Sequence, residues 1–521
     1  MTYAAARHPG GALHHTRTPS PSPPLPPFAR LPVLGLAAAF ALVLLVTSGR
    51  FAYKGDELYF LIAGRHLSWG YADQPPLVPL LARLMETLAP GSPVVLRLPV
   101  TLAVPLAAVV TALTARELGG GRRAQFLAAA TFLTAPQVLN VSHNLVKRPL
   151  ELCLCAVMLW LLVRWVRARD DRLWPAIGLV TALALQNNYL IGAFWAAAAL
   201  AIAATGPREV FRRPLMWAGA AIVAVSLVPG LLWQAAHGWP QLAMGSVIGA
   251  EVASESGRLL FVPLVFLAAG LVGSALFCSG LWWLLRSPGL RPYRFLGWTV
   301  LLLAVLICAV NGKRDYLAAM SFPLCWAVAA VQVERHATAR LWRWLPTLPA
   351  LALSLLVCLR GLLPLQVDWM WGADRYLVLT RDSDWHALSA EVAAASRDLP
   401  PDERKRTVVI AGDYWRASAL EWLRPEYRLP PVYGDMRGSW YFGTPPATAR
   451  TVVYVGPVPG TLRRHCGELR RTGAVSGERA TTAPGTDADA PVSVCSDLRT
   501  PLPQLWPALH HLELHENGRT R

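Results

Sequence analysis

The sequence predicts a polytopic α-helical membrane protein with about eleven spans and a small C-terminal α/β domain outside the membrane. Three observations point there. Of the 521 residues, 54% are hydrophobic and 16% charged, a balance far from that of soluble enzymes. Apolar runs of about 20 residues, the length that crosses a bilayer, recur along the chain. Arginines gather in alternate connections between those runs, so topology accounts for the net charge of +17 better than a nucleic-acid-binding face does.

Residues 1–30, containing "TPSPSPPLPPFAR", lack the apolar content for a core and read as a disordered cytoplasmic tail. A membrane domain follows over residues 31–365. Its first run, "LPVLGLAAAFALVLLVTSG" (31–49), has no small-residue cleavage site and reads as a retained span. Further runs fall near 94–115, 124–141, 150–166, 174–187, 189–205, 215–235, 259–285, 295–311, 316–333 and 344–364. Five basic sets alternate with them: Arg116, Arg122 and Arg123; Arg164, Arg167, Arg169 and Arg172; Arg208, Arg212 and Arg213; Arg286, Arg291 and Arg294; Arg335, Arg340 and Arg343. These sets share one side with the N-terminus, which the positive-inside rule makes cytoplasmic.

An odd number of spans then puts the loop 50–93 and the region 366–521 on the outer side. Within that region "RTVVIAGD" (406–413) and "TVVYVG" (451–456) have strand character, while "DWHALSAEVAAASRDL" (384–399) and "WRASALEWL" (415–423) have helical spacing. The stretch "GERATTAPGTDADAP" (477–491) reads as a flexible loop. Cys466 and Cys495 flank it and are expected to pair if this region meets an oxidising compartment. The other six cysteines fall in apolar runs and read as small hydrophobes.

The loop 50–93 holds "GDELYFLIAGRHLSWGYADQPPLVPLL" (55–81), with three acids beside the membrane. Gly55-Asp56 begins a helix whose Leu58, Leu61 and Ile62 suit the membrane interface, and a second helix from Pro75-Pro76 presents Leu77, Leu80, Leu81, Leu84 and Leu88. The two helices hold Asp56, Glu57 and Asp73 at the top of the bundle. Carboxylates there are costly unless hydrated, paired or metal-bound. The purely structural alternative is that Asp56 caps a helix, Glu57 pairs with Lys54 and Asp73 starts a turn.

A first span followed by "GDELYF", "YADQPPL" and "LRLP" (96–99) resembles the bacterial branch of glycosyltransferase family 39. That branch belongs to the C-type membrane superfamily, with protein mannosyltransferases, lipid A aminoarabinose transferases and Rgt-type lipopolysaccharide transferases. The resemblance continues through "RLWPAIGLVTALALQNNYLIG" (172–192), "VPGLLWQAAHGWPQL" (228–242), "NGKRDYLAAMSFP" (311–323), "DYWRASALEWLRPEYRLPPVYG" (413–434) and "LWPALHHLE" (505–513).

What the resemblance implies is an inverting transferase of the cell membrane. It takes a sugar from a polyprenyl phosphate and delivers it, on the outer face, to a hydroxyl of an envelope glycan, lipid or exported protein. Asp56 becomes the candidate general base, Glu57 an acid that orients the site or binds sugar, and Asp73 an acid serving the donor phosphate or a metal. Lys313 and Tyr316 match the family's outer lysine and a neighbouring tyrosine. With Lys147, Arg148, Asn187, Tyr189 and Gln74 they are the candidate ligands of donor phosphate or sugar. No cofactor is required by this pattern; a divalent metal, if used, falls to Asp56 and Asp73.

Three positions depart from the family. Arg148 stands where relatives often have an acid, Asn188 where they have lysine, and Lys313-Arg314-Asp315-Tyr316 replaces lysine-proline-tyrosine-tyrosine. One reading is compensation, with Arg148 and Asp315 paired; the other is a degenerate member that binds an envelope glycan or assists assembly. A transporter or flippase would carry acids deep in its spans and an inverted repeat. Here Glu151, the main acid near a span, lies at the start of its run. His14-His15 and His510-His511 lack metal-ligand spacing.

Overall fold

The computed structural model describes residues 24–255, 258–310, 314–336, 349, 351–352, 385–475 and 490–513. The membrane portion runs through α1 (Arg30–Ser48), α2 (Gly55–Arg65), α3 (Leu77–Leu88), α4 (Pro93–Glu117), α5 (Arg122–Leu133), α6 (Pro136–Val141) and α7 (Lys147–Ala168). It continues through α8 (Leu173–Leu185), α9 (Ile191–Thr205), α10 (Pro214–Ala236), α11 (Pro240–Glu255), α12 (Phe261–Arg286), α13 (Arg294–Val310) and α14 (Arg314–Arg335). Among the described residues seven segments are long and apolar enough to cross a membrane, those of α1, α4, α7, α10, α12, α13 and α14, while α8 and α9 are apolar but shorter.

The run expected at 124–141 is not one helix. It breaks between α5 and α6 because Pro136 lacks an N–H and holds Ala135 extended, at ψ 131°. The run at 344–364 falls almost wholly outside the described residues. Helix α14 forms the middle of the bundle, buried along its apolar length against α4, α5, α7 and α12. Trp326 fixes its depth by donating from Nε1 to the Gly273 carbonyl of α12 at 2.8 Å.

The basic connections gather at one end. Glu117 accepts from Arg167 at 2.5 Å, Arg169 pairs with Glu209 and Arg213 with Asp171, each at 3.2 Å, and Glu334 accepts from the Gly121 N–H at 2.6 Å.

At the other end sits the α/β domain, with α15 (Trp385–Arg397), α16 (Pro401–Arg404), β1 (Thr407–Ala411), α17 (Tyr414–Tyr427), β2 (Val432–Gly434), β3 (Thr451–Val455), α18 (Gly460–His465), β4 (Glu468–Val475), β5 (Ala490–Ser496) and α19 (Leu502–Leu509). The sheet order is β2-β1-β3-β5-β4. β1 lies parallel to β2 and β3, and β5 runs antiparallel to β3 and β4. β1 and β3 are buried at every position, which is why they read as unbroken β-branched runs. Val409, Ala411, Val453 and Val455 face the core shared with the bundle; Val408, Ile410, Val452 and Tyr454 face a second core with Leu502, Leu505 and Trp506. The Cys466–Cys495 disulfide lies in that second core.

The sequence pattern placed α2 with one face on the membrane interface; instead it is enclosed. Leu58, Tyr59, Phe60, Leu61, Ile62 and Ala63 are all buried, because α3 covers one flank and α17 another. Leu80, Leu84 and Leu88 of α3 do point outward, 49–66% exposed, as an interfacial face should.

Asp435, just after β2, is fully buried and accepts from the Tyr454 hydroxyl at 2.8 Å. Burial pushes its carboxyl up to about 8 from 3.8. Between those values the folded state holds a proton that the unfolded chain releases, so stability declines as pH rises across the interval and levels off above it. Thermal unfolding of the full chain from pH 5 to 9 is expected to show this decline, and Asp435→Asn to flatten it.

Candidate active site between the bundle and the domain

Glu57 organises the site from inside the protein. Its Oε2 lies 2.6 Å from Arg97 Nη2, and its Oε1 accepts from Arg97 Nε at 2.8 Å and from the Leu145 N–H at 2.9 Å. Oε2 also accepts from the Lys54 N–H at 3.1 Å. Arg97 spends its remaining donors on the carbonyls of Ser48, Phe51 and Ala52. Both side chains are wholly buried. Both carboxylate oxygens of Glu57 are engaged, and the side chain has no exposed surface. Its partner is Arg97 rather than the neighbouring Lys54 side chain.

One residue earlier, Asp56 turns to the other side of α2 and is half-buried. Its Oδ1 accepts from Trp415 Nε1 at 2.7 Å and from the Tyr414 hydroxyl at 3.3 Å, both at the start of α17. Its Oδ2 has no protein hydrogen bond among the described residues. Trp415 comes this close because position 55 is glycine; a Cβ there would collide with the indole.

Asp73 accepts from the Tyr59 hydroxyl at 2.8 Å. The Tyr59 and Tyr414 rings meet edge to face at 4.9 Å, so a tyrosine pair links the two aspartates. Burial pushes the Asp73 carboxyl above the usual range, against the opposing effects of the Tyr59 hydrogen bond and the Arg437 and Lys147 charges. Gly438 packs against Tyr59 so closely that no side chain fits. Arg437, held at φ 48°, pairs with Glu251, donates to the Leu512 carbonyl at 2.9 Å and lies 5.3 Å from the Tyr414 ring.

At the start of α7 the structure pairs Arg148 with Asp315 at 3.0 Å. Neighbouring Lys147 forms no ion pair among the described residues. Its carbonyl accepts from Asn187 Nδ2 at 2.9 Å, while Asn187 Oδ1 is buried without a partner. Asn188, one of the departures, donates to Glu151 at 2.9 Å. The Tyr189 hydroxyl and Gln74 Nε2 are buried and have no hydrogen-bond partner among the described residues, and Tyr316 is buried on α14. Lys313 lies outside the described residues. His510 and His511 fall in the domain, His510 stacked 4.4 Å from Trp440.

Asp56 and Asp73 each give an oxygen to protein donors, and among the described residues no third His, Cys, Asp or Glu joins them.

The family described as dolichyl-phosphate-mannose-protein mannosyltransferase matches residues 73–233. No curated protein matches the chain by sequence. Among solved structures, that of ArnT from Cupriavidus metallidurans bound to undecaprenyl phosphate aligns with a TM-score of 0.55 and 16% identity, over 89% of this chain and 98% of that one. The apo form of ArnT aligns at 0.53 and 16%, over 92% and 99%. The chain has the C-type glycosyltransferase fold.

Within this glycosyltransferase fold, sequence reasoning missed Tyr59, Arg97, Tyr414, Trp415 and Arg437. Tyr414 and Trp415 sit in "DYWRASALEWL", which carried part of the family resemblance, yet periodicity assigned that stretch only a helix. Breaking the buried Glu57–Arg97 pair leaves an uncompensated charge, a loss of about 3–5 kcal/mol. Arg97→Ala is accordingly expected to lower the melting temperature of detergent-solubilised protein more than Asp56→Asn does, by differential scanning fluorimetry.

Proposed function

We propose that this protein moves one sugar from a polyprenyl-phosphate donor to a hydroxyl of an envelope glycan, lipid or exported protein, with inversion, and that Asp56 is the general base. The observation carrying this reading is the asymmetry of Asp56. Trp415 and Tyr414 hold one oxygen while the other is left for an acceptor hydroxyl. A carboxylate so oriented takes the proton as the hydroxyl oxygen attacks the anomeric carbon and the lipid phosphate departs from the opposite face. The undecaprenyl phosphate bound by ArnT supports a donor of that class.

Lys147, uncommitted among the described residues, and Arg148 are the proposed counter-charges for the departing phosphate, with Lys313 completing the clamp. Asn187, Tyr189, Gln74 and Tyr316 are the proposed neutral contacts to donor phosphate or sugar. Asp73, whose carboxyl burial pushes above the usual range, is proposed to bond the sugar or donor. The basic connections gather at the opposite end of the bundle from the α/β domain. That arrangement supports residues 1–30 as a cytoplasmic tail, 31–365 as the membrane domain and 366–521 as the extracytoplasmic domain. The disulfide fits an oxidising compartment.

Radiolabelled polyprenyl-phosphate sugars and an envelope extract test the reading. Asp56→Asn is expected to lower kcat by roughly 10²–10⁴-fold; undiminished transfer would remove Asp56 as the base. The Arg148–Asp315 pair is tested by exchange. Arg148→Asp and Asp315→Arg each lower transfer, and the double variant is expected to exceed both; a double variant no better than either single would reject compensation.

A further inference from the structure

The two helices that meet at Asp56 and Trp415 also meet at Arg65, in the last turn of α2, whose guanidinium lies 4.9 Å over the Trp422 ring of α17. Between them opens a cavity of about 470 Å³ lined by Arg65, Glu421, Arg424, Pro425, Arg428 and Leu429. Three guanidinium groups thus share it with one carboxylate. Glu421 pairs with Arg424 at 3.4 Å, which leaves Arg65 and Arg428 without an ion pair among the described residues.

Arg428 occupies the position after α17 in the left-handed conformation, φ 53° and ψ 43°. Glycine is the usual choice there, because an L-residue's Cβ crowds the backbone in that conformation. The chain nonetheless places a long, solvent-exposed cationic side chain at that point, on the lining of the cavity. Leu429 and Pro425 give the cavity an apolar wall, against which a charge–charge contact is stronger than in open water. Nine residues of helix separate Arg65 from Asp56, or about 14 Å along α2.

We infer that this cavity binds an anionic group, phosphate or carboxylate, carried by the acceptor, so that the acceptor is an acidic glycan or glycolipid gripped about 14 Å from the hydroxyl it presents to Asp56. The inference rests on the proposed transfer reaction for the acceptor's identity. The anion site itself does not.

The full chain in phosphatidylcholine nanodiscs is titrated with inorganic pyrophosphate by calorimetry. Saturable binding is expected, at least about tenfold weaker in the Arg65→Gln/Arg428→Gln double variant and retained in Arg65→Lys/Arg428→Lys. No binding by the parent chain, or equal binding by the glutamine variant, would overturn the site. The titration is repeated with phosphatidylglycerol in the discs. Unchanged binding supports an acceptor anion, whereas loss of binding there would give the site to a bilayer headgroup and overturn the acceptor assignment.

In the transfer assay, the glutamine variant is expected to raise KM for the acceptor at least about tenfold with the donor KM unmoved; a shift in donor KM alone would overturn the proposal. Absence of transfer by the parent chain would reject the proposed reaction, while the pyrophosphate titration would still decide the cavity.

Discussion

A carboxylate and a guanidinium buried together without access to water anchor this end of the molecule. Charges in such a place persist only when every hydrogen-bonding direction is met. Glu57 and Arg97 meet theirs by drawing in the carbonyl at the end of α1, two carbonyls of the following loop, the N–H of Lys54 before α2 and the N–H of Leu145 before α7. Three stretches of chain, 48–57 and those around Arg97 and Leu145, are thereby fixed to one ion pair. The start of α2 inherits that rigidity, and so does the direction in which Asp56 points.

The two adjacent acids divide their work by helical geometry. Successive residues on an α-helix point about 100° apart, so locking Glu57 inward forces Asp56 outward, toward the domain. Asp56 then receives two donors, an indole N–H and a phenol. Asp73, beyond the turn, receives a single phenol and a burial that favours its neutral form. The two carboxyl groups are thus held in unlike surroundings.

Seven spans and the strands β1 and β3 were legible because each is a long apolar or β-branched run that reports its own burial. The Pro136 break was visible as a residue but not as a consequence, since a proline within a continuous apolar stretch is also compatible with a kinked span. Asp56 was legible through its motif. Its environment was not, because the residues that create it are distant in sequence: Arg97 lies 40 positions from Glu57, and Trp415 lies 359 from Asp56. Local pattern pairs neighbours, which is why Lys54 was matched to Glu57. The three-residue β2, and the β4–β5 hairpin with its polar outer strand, are too short or too mixed to announce themselves.

The donors to Asp56 carry a consequence of timing. A ribosome releases Asp56 into the membrane more than 350 residues before it makes Tyr414 and Trp415. Those side chains reach the carboxylate only after the membrane helices have assembled and the sheet that carries α17 has formed above them. The emerging chain therefore holds Asp56 in an unfinished setting until then, and the folded α/β domain is what completes its surroundings.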